Sequence, residues 1–553
     1  MPTFRTPLTN LKRAVDCWPS AAAFKIPIIE NSVDIAGYSE VTYEEFYKGV
    51  EKAASYWRNK LSGDGVPAGS VVGVCLLGYT YTDVLHVYGL MMAEYIPQTF
   101  TLFPSAIEAL NTLLKSSGAQ ALIYQEGHFD RVKSWISTHT TLKLYPAISA
   151  FPEPESDSNP PLPGLSSEKH SDDDIVIIVH TSGSTSGIPK CVPYTYRFMD
   201  AAVAKAALTC VPGPTRTRDV NSWLGSACQA ANLTFVLSTI YYGGCTMAQT
   251  HKSPSASEWK CMITLGGLTR ATLFPTVLSR VIQYCAKNAE LLELMRTLDS
   301  IMFAGAAMPP EELEWAKESG LKLMNLYGST ECGTPMLLSD RSGDGKPEHL
   351  CLARLLKSDG TPLVRYRFDP VACSDLYHGE ELKELVVLAD SEDLPVRSFL
   401  QDDGTFHTGD IFEEVAPGEF VHRGRQDDFI KMAYGQKCDA GAIENIARNV
   451  CNGLFTDCVV IGSDRPSPVL VAEADMKSDS VEMDLKQDIY QRISESEAHR
   501  RLYPHEQIAS PDSVIVVRNG SLPRTATKGN IRRKAVGISM KETLDKIFSE
   551  TRG

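Results

Sequence analysis

The chain has 553 residues, 43% of them hydrophobic and 22% charged. This is the composition of a soluble globular protein with ample core, and the length is more than one core usually serves. A formal net charge of −14 argues against nucleic acid or an anionic membrane as the main partner, so an anionic ligand needs a focused pocket.

The start, MPTFRTPLTNLKRAV, lacks the continuous apolar core of a signal peptide. Fourteen cysteines, with no C-x-x-C pair and no metal-ligand spacing, read as reduced thiols of a cytoplasmic protein. From Tyr43 to Leu61 apolar residues recur at helical spacing (Phe46, Val50, Ala53, Ala54, Trp57, Leu61), and VVGVCLL after it reads as a buried strand. That alternation predicts an α/β protein. The longest apolar region, Val71 to Ala93, is interrupted by Asp83 and His86 and reads as a strand and a helix, not a membrane span. Phe151 to Asp174, rich in Pro, Ser and acid, reads as an exposed loop or short linker.

A short apolar run then leads into HTSGSTSGIPK, His180 to Lys190. Such a loop can offer backbone NH groups, hydroxyls and one cation to phosphate oxygens. It is neither a Walker loop nor G-x-G-x-x-G, and its chemistry alone fits a solvated turn equally well. Further on, IMFAGAAMP and LKLMNLYGSTECG read as short strands ending in small-residue turns, where ligands of open α/β sheets bind. Near Gly404 the pattern changes to antiparallel hairpins, DDGTFHTGDIFEEV and GEFVHRGRQDDFIKM. A smaller domain begins at Asp427. Its signals are a helix from about Asp439 to Asn452, a strand CVVIG, a helix around Val481 to Glu497, a strand SVIVV and the loop SLPRTATKGNIRRK.

TSGSTSGIPK closely resembles the signature loop of the adenylate-forming (ANL) superfamily of acyl-CoA synthetases, luciferases and nonribosomal peptide synthetase (NRPS) adenylation domains. AGAAMP, NLYGSTE, HTGD, RGRQDDFIK and PRTATKG follow in the family's order. The resemblance implies a mixed α/β fold with α+β subdomains. A large N-terminal core (1–426) would hold two α/β subdomains and a β-barrel-like part, followed by a small mobile α+β domain (427–553). The whole pattern looks most like the adenylation domain of a fungal NRPS-like enzyme of the carboxylic acid reductase or a related type. The implied reaction is ATP-dependent activation of a carboxylic acid as acyl-adenylate, then transfer to a phosphopantetheine thiol. The thiol would sit on a carrier domain of the same full-length polypeptide. Alternatives are a stand-alone acyl-CoA ligase using CoA, and a nucleotide-binding module without chemistry. As an isolated domain the chain is expected to be a monomer, without membrane or nucleic-acid partners.

The same resemblance assigns roles. Thr181, Ser182, Gly183, Ser184, Thr185 and Lys190 would cover the phosphates, with Ser186 an extra residue against the commoner pattern. Ala306, Asn325, Tyr327, Gly328 and Ser329 would bind nucleotide, Tyr327 lying against adenine. Thr330 would meet the α-phosphate, and Glu331 would hold Mg²⁺. Asp410 would accept the ribose hydroxyls beside Arg425, Asp427 would be the hinge, and Lys528 the catalytic lysine, although the order here is Lys-Gly and not Gly-Lys. Trp223, Gln229, Ala230, Phe303, Ala304 and Gly305 would line the acyl pocket, with Gln229 where histidine is usual. WLGSACQAAN offers no aspartate to pair an α-ammonium, which disfavours an α-amino acid, since a buried unpaired ammonium is costly.

Overall fold

The computed structural model describes residues 4–31, 34–101, 107–127, 142–153, 170–181, 190–213, 216–223, 225–251, 253–305, 308–339, 345–371, 382–433, 437–475, 479–525 and 530–550. The helix predicted after Tyr43 runs Tyr43–Gly63. Thr42 opens it through a capping box, the Glu45 carboxylate accepting the Thr42 amide at 2.7 Å, a device that stabilises a helix start by about 1 kcal/mol. Its apolar stripe (Phe46, Val50, Ala53, Trp57, Leu61) is fully buried, each large side chain contributing roughly 1.5–3 kcal/mol. The stripe meets helix Tyr81–Met92, where a Cβ on Gly89 would lie 2.6 Å from that of Ala53. Only glycine allows this crossing.

Two sheets carry the larger part of the chain. One orders Lys143–Pro146, Ala121–Tyr124, Val71–Leu76, Ile96–Thr101, Ile175–His180 and Cys191–Thr195. All its pairs are parallel except the last. The other has 13 strands among the described residues. Its centre is a parallel run of Cys245–Met247, Val220–Ser222, Arg270–Leu273, Ser300–Ala304 and Leu323–Ser329. Beyond Leu323–Ser329 the pairing turns antiparallel through Gly333–Leu338, and the hairpin strands Phe406–Ala416 and Glu419–Arg425 follow in the same sheet. The expected barrel-like part is thus hydrogen-bonded to the second α/β sheet along one edge. Short parallel strands end at small residues because their carboxyl ends must leave room for a crevice.

The last part of the chain forms its own three-stranded sheet, Asp457–Ile461, Val469–Ala474 and Val514–Arg518, with helices Ala440–Val450 and Asp479–Glu495. These bounds lie within a few residues of the sequence reading, as is usual at element ends. Its core, which includes Ile443, Ala447, Val460, Leu470, Ile489 and Val516, is buried. Among the described residues no helix is long and apolar enough to cross a membrane.

One core group sets a pH dependence. His86 is 1% exposed, accepts the Trp57 indole NH on Nδ1 at 3.1 Å, and faces the Ile148 carbonyl with Nε2 at 3.0 Å. These partners suit the neutral Nε2–H tautomer, and burial pushes the pKa from 6.5 down to about 4. The unfolded chain therefore binds the proton first. This part of the stability is complete above pH 6.5 and is lost as the pH falls towards 4. We expect the denaturant midpoint to drop between pH 7 and pH 5, with a shallower slope in His86→Gln; equal slopes would refute the assignment.

Candidate active site

The turn joining Leu323–Ser329 to Gly333–Leu338 carries the residues expected to handle the α-phosphate and the metal. Gly328 is required for space: a Cβ there would lie 2.5 Å from the Gly333 carbonyl oxygen. The Ser329 hydroxyl accepts the Cys332 amide at 3.1 Å and closes the turn, leaving Thr330 and Glu331 half-buried at its tip. Asn325 is tied back through paired bonds with Ser339, each 2.9 Å. Gly328→Ala is expected to cost roughly 1–3 kcal/mol of stability by overpacking and to lower activity further by displacing the tip. Thermal unfolding and pyrophosphate exchange measure the two effects.

Tyr327 points from the same strand to the hairpin Phe406–Arg425. Its hydroxyl donates to Asp410 Oδ2 at 2.7 Å, and its ring stands edge-on to Phe412 with centroids 5.0 Å apart. Asp410 is buried and faces Arg425 across the ladder, the guanidinium 3.3 Å from Oδ1. His422 Nε2 lies 3.5 Å from the same oxygen. Burial by itself would raise the Asp410 carboxyl, but His422, Arg425 and the Tyr327 hydroxyl together hold it below the ordinary carboxylate value. Asp410 is therefore an ionised acceptor on a rigid ladder, suited to a pair of hydroxyls.

Glu384 fixes the height of that ladder: its carboxylate accepts the Gly409 amide and meets His407 Nδ1, both at 2.9 Å. Neither Glu384 nor His422 was marked by the sequence reading. An acid within the apolar stretch ELVVL and a histidine two residues before Gly424 were the available signals, and neither is distinctive without the fold.

The hydroxyl-rich loop springs from the hairpin of Ile175–His180 and Cys191–Thr195. Thr181 and Lys190 close its base by exchanging backbone and side-chain bonds at 3.1 and 3.2 Å, and the Lys190 side chain is exposed. Ser182, Gly183, Ser184, Thr185 and Ser186 lie outside the described residues, as do Ala306 and Lys528; for Asp427 only the backbone is described. The lysine loop is likewise closed at its base, the Thr525 amide donating to the Asn530 carbonyl at 2.7 Å.

At the expected acyl pocket, Gln229 is the N-cap residue of helix Ala230–Tyr241 and makes no capping bond. Gln229, Ala230 and Ala304 are half-buried and Gly305 is exposed. Trp223 and Phe303 lie deeper than the rest of this set. They are 3% and 1% exposed and pack in separate hydrophobic cores, Trp223 near Phe24 and Phe303 among Leu273, Val277 and Leu313. Phe303 belongs to a strand, Ser300–Ala304, whose first four residues are all buried, and Trp223 follows directly after the strand Val220–Ser222.

The three motifs meet. Tyr194, on the strand leaving the phosphate loop, donates to the Thr330 carbonyl at 2.7 Å, and Tyr327 joins that turn to Asp410. Among the described residues no group of three or more His, Cys, Asp or Glu gathers to hold a metal alone. One carboxylate with phosphate oxygens and water suits Mg²⁺, which dehydrates reluctantly.

This fold and site define an adenylate-forming enzyme, one that uses ATP to make an acyl-adenylate. The chain belongs to the AMP-binding enzyme family, whose model matches residues 11–364, and the model of AMP-binding enzyme C-terminal domains matches 427–552. It is 31% identical to the AMP-binding domain-containing enzyme iboA of Amanita muscaria, over 91% of this chain and 95% of that one. It is 24% identical to the adenylate-forming reductase stbB of Stachybotrys bisbyi over 84% of this chain, but spans only 42% of that protein. In fold it is similar to o-succinylbenzoate CoA synthetase of Bacillus subtilis solved with an acyl-adenylate (TM-score 0.69, 16% identity, 96% of this chain and 97% of that one). A like match is the anthranilate CoA ligase AuaEII with anthranoyl-AMP (TM-score 0.69, 19% identity, 99% of each chain).

Proposed function

We propose that the enzyme joins a non-amino carboxylic acid to the α-phosphate of ATP, releasing pyrophosphate, and passes the acyl group to a phosphopantetheine thiol on a carrier domain. The observation that carries the reading is the convergence of the Ser329–Gly333 turn, buried Asp410 and the loop-bearing hairpin. In the first step a carboxylate oxygen bonds phosphorus and the pyrophosphate oxygen leaves. Two anions meet there, so charge must be balanced by preorganised cations and dipoles. Thr330 donates to the α-phosphate, Glu331 holds Mg²⁺, Asp410 and Arg425 hold the ribose, and Tyr327, Gly328, Ser329, Asn325 and Ala306 form the nucleotide floor. The loop from Thr181 to Lys190 covers the outer phosphates, and Lys528 stabilises the developing charge. In the second step the thiol sulfur attacks the acyl carbonyl and AMP leaves.

The division at 426/427 follows from the same reading, with Asp427 as the pivot. Next to it, Asp428 pairs with Arg533 at 2.6 Å, tying the pivot to the helix that follows the lysine loop. A non-amino acid is favoured because the stretch 221–232 holds no carboxylate. Buried Asp219, just before it, is taken by Arg270 at 3.1 Å. A cytoplasmic setting is supported by the unbonded cysteines among the described residues.

Transfer to CoA is the second reading, favoured by the likeness in fold to CoA ligases. Acid-dependent pyrophosphate exchange with aryl, α-keto, short aliphatic, betaine-like and α-amino acids tests the first step. Exchange with an α-amino acid alone would overturn the substrate class, and none at all would leave a nucleotide-binding module. Thioester formation with a carrier domain but not with free CoA is the expected second result; the reverse would establish the ligase.

A further inference from the structure

The peptide groups around Glu331 are held from beneath by side chains that no part of the proposed chemistry uses. The Thr330 carbonyl accepts the Tyr194 hydroxyl at 2.7 Å, and the Cys332 carbonyl accepts Lys205 Nζ at 2.5 Å. Between them the Cys332 amide is tied to Ser329 Oγ at 3.1 Å. Tyr194 is 1% exposed and Lys205 is fully covered. The peptide before Glu331 is thus held through its carbonyl, the one after it through its amide and the next through its carbonyl, which leaves the Glu331 backbone little freedom.

Lys205 is a costly way to make one bond. Its ammonium is paired with Asp393 at 2.7 Å, and both side chains have zero exposure. Asp393 in turn accepts the Ser391 hydroxyl at 2.6 Å and the Tyr366 hydroxyl. A buried ion pair of this kind is often no more stable than apolar residues of the same volume, so packing does not account for it. Its free direction of use is the Cys332 carbonyl. Both donors follow the phosphate loop directly: Tyr194 lies on Cys191–Thr195, and Lys205 ends the helix Tyr196–Lys205.

We propose that Tyr194 and Lys205 are positioning residues that clamp the Ser329–Gly333 turn and aim the Glu331 carboxylate at the metal. The clamp rests on the reading of Glu331 as a Mg²⁺ ligand.

The test is the gain in ATP affinity on adding Mg²⁺, measured on the full chain by calorimetry as the ratio of Kd in EDTA to Kd in Mg²⁺, with thermal unfolding alongside. Tyr194→Phe removes one hydroxyl and keeps the ring stacked on Phe198, now 4.1 Å between centroids. It is expected to lower the ratio by about 3- to 10-fold, the range of one lost hydrogen bond, with Kd in EDTA unchanged. Lys205→Met alone would strand Asp393, so Lys205→Met with Asp393→Leu is used. Removing a charge-assisted bond should lower the ratio about 10-fold or more. Glu331→Gln separates the two layers. If it leaves the ratio at the wild-type value, the metal reading fails and the clamp with it. If Glu331→Gln abolishes the gain while Tyr194→Phe and the double variant keep it, changing only the unfolding temperature, the clamp alone is overturned.

Discussion

Asp410→Asn is expected to lower kcat/KM for ATP by roughly 10²- to 10³-fold, the loss of two charge-assisted bonds at about 1.5–3 kcal/mol each, only partly replaced by neutral ones. The reason lies in the surroundings of this carboxylate. Arg425 and His422 sit at 3.3 and 3.5 Å from Oδ1 and the Tyr327 hydroxyl at 2.7 Å from Oδ2. They hold the carboxyl below the ordinary carboxylate value against the opposing effect of burial. An asparagine keeps one acceptor oxygen and puts an NH₂ in place of the other, so it accepts fewer and weaker bonds, and an NH₂ turned to the Arg425 guanidinium meets another donor. The variant also removes the carboxylate 3.3 Å from Arg425, so a lower unfolding temperature accompanies the kinetic loss. Deoxyribose analogues of ATP provide the check: they should lose much against the wild type and little against Asp410→Asn. Equal losses in both would remove Asp410 from the ribose site.

The second large effect is expected at Lys528. Lys528→Ala should reduce pyrophosphate exchange by about 10²- to 10³-fold, the scale of one transition-state charge partner, while Kd for ATP changes by less than about threefold, because the charge is needed mainly as the acid and phosphate oxygens approach. Transfer of an acyl group from preformed acyl-adenylate to the thiol should survive in the same variant. Exchange at the wild-type rate would move the role to another cation, and Arg524 is a poor substitute, being engaged by Asp457 at 2.8 Å and by Glu473.

The chemistry was legible in short motifs taken together. HTSGSTSGIPK, NLYGSTE and HTGD are each ambiguous alone, the first fitting a solvated turn equally well, and it is their order along the chain that pointed to the superfamily. The amphipathic stripe from Phe46 to Leu61 and the strand Val71–Leu76 were likewise written as periodicity. Pocket lining was less legible. Trp223 and Phe303 stand in the right motifs, yet both rings pack in hydrophobic cores, and burial on both faces of a short central strand shows only once its neighbours in the sheet are known.

What the sequence by itself determined is the class of reaction, because several short motifs, each ambiguous alone, follow one another in a single order along the chain. The tertiary structure alone decided how the groups in those motifs are held: Glu384 under Gly409, His422 beside Asp410, and Tyr194 and Lys205 under the Glu331 turn. Each of these contacts joins residues from 12 to well over 100 positions apart, and a buried donor has no local pattern, since its meaning lies in the distant carbonyl or carboxylate that folding brings to it.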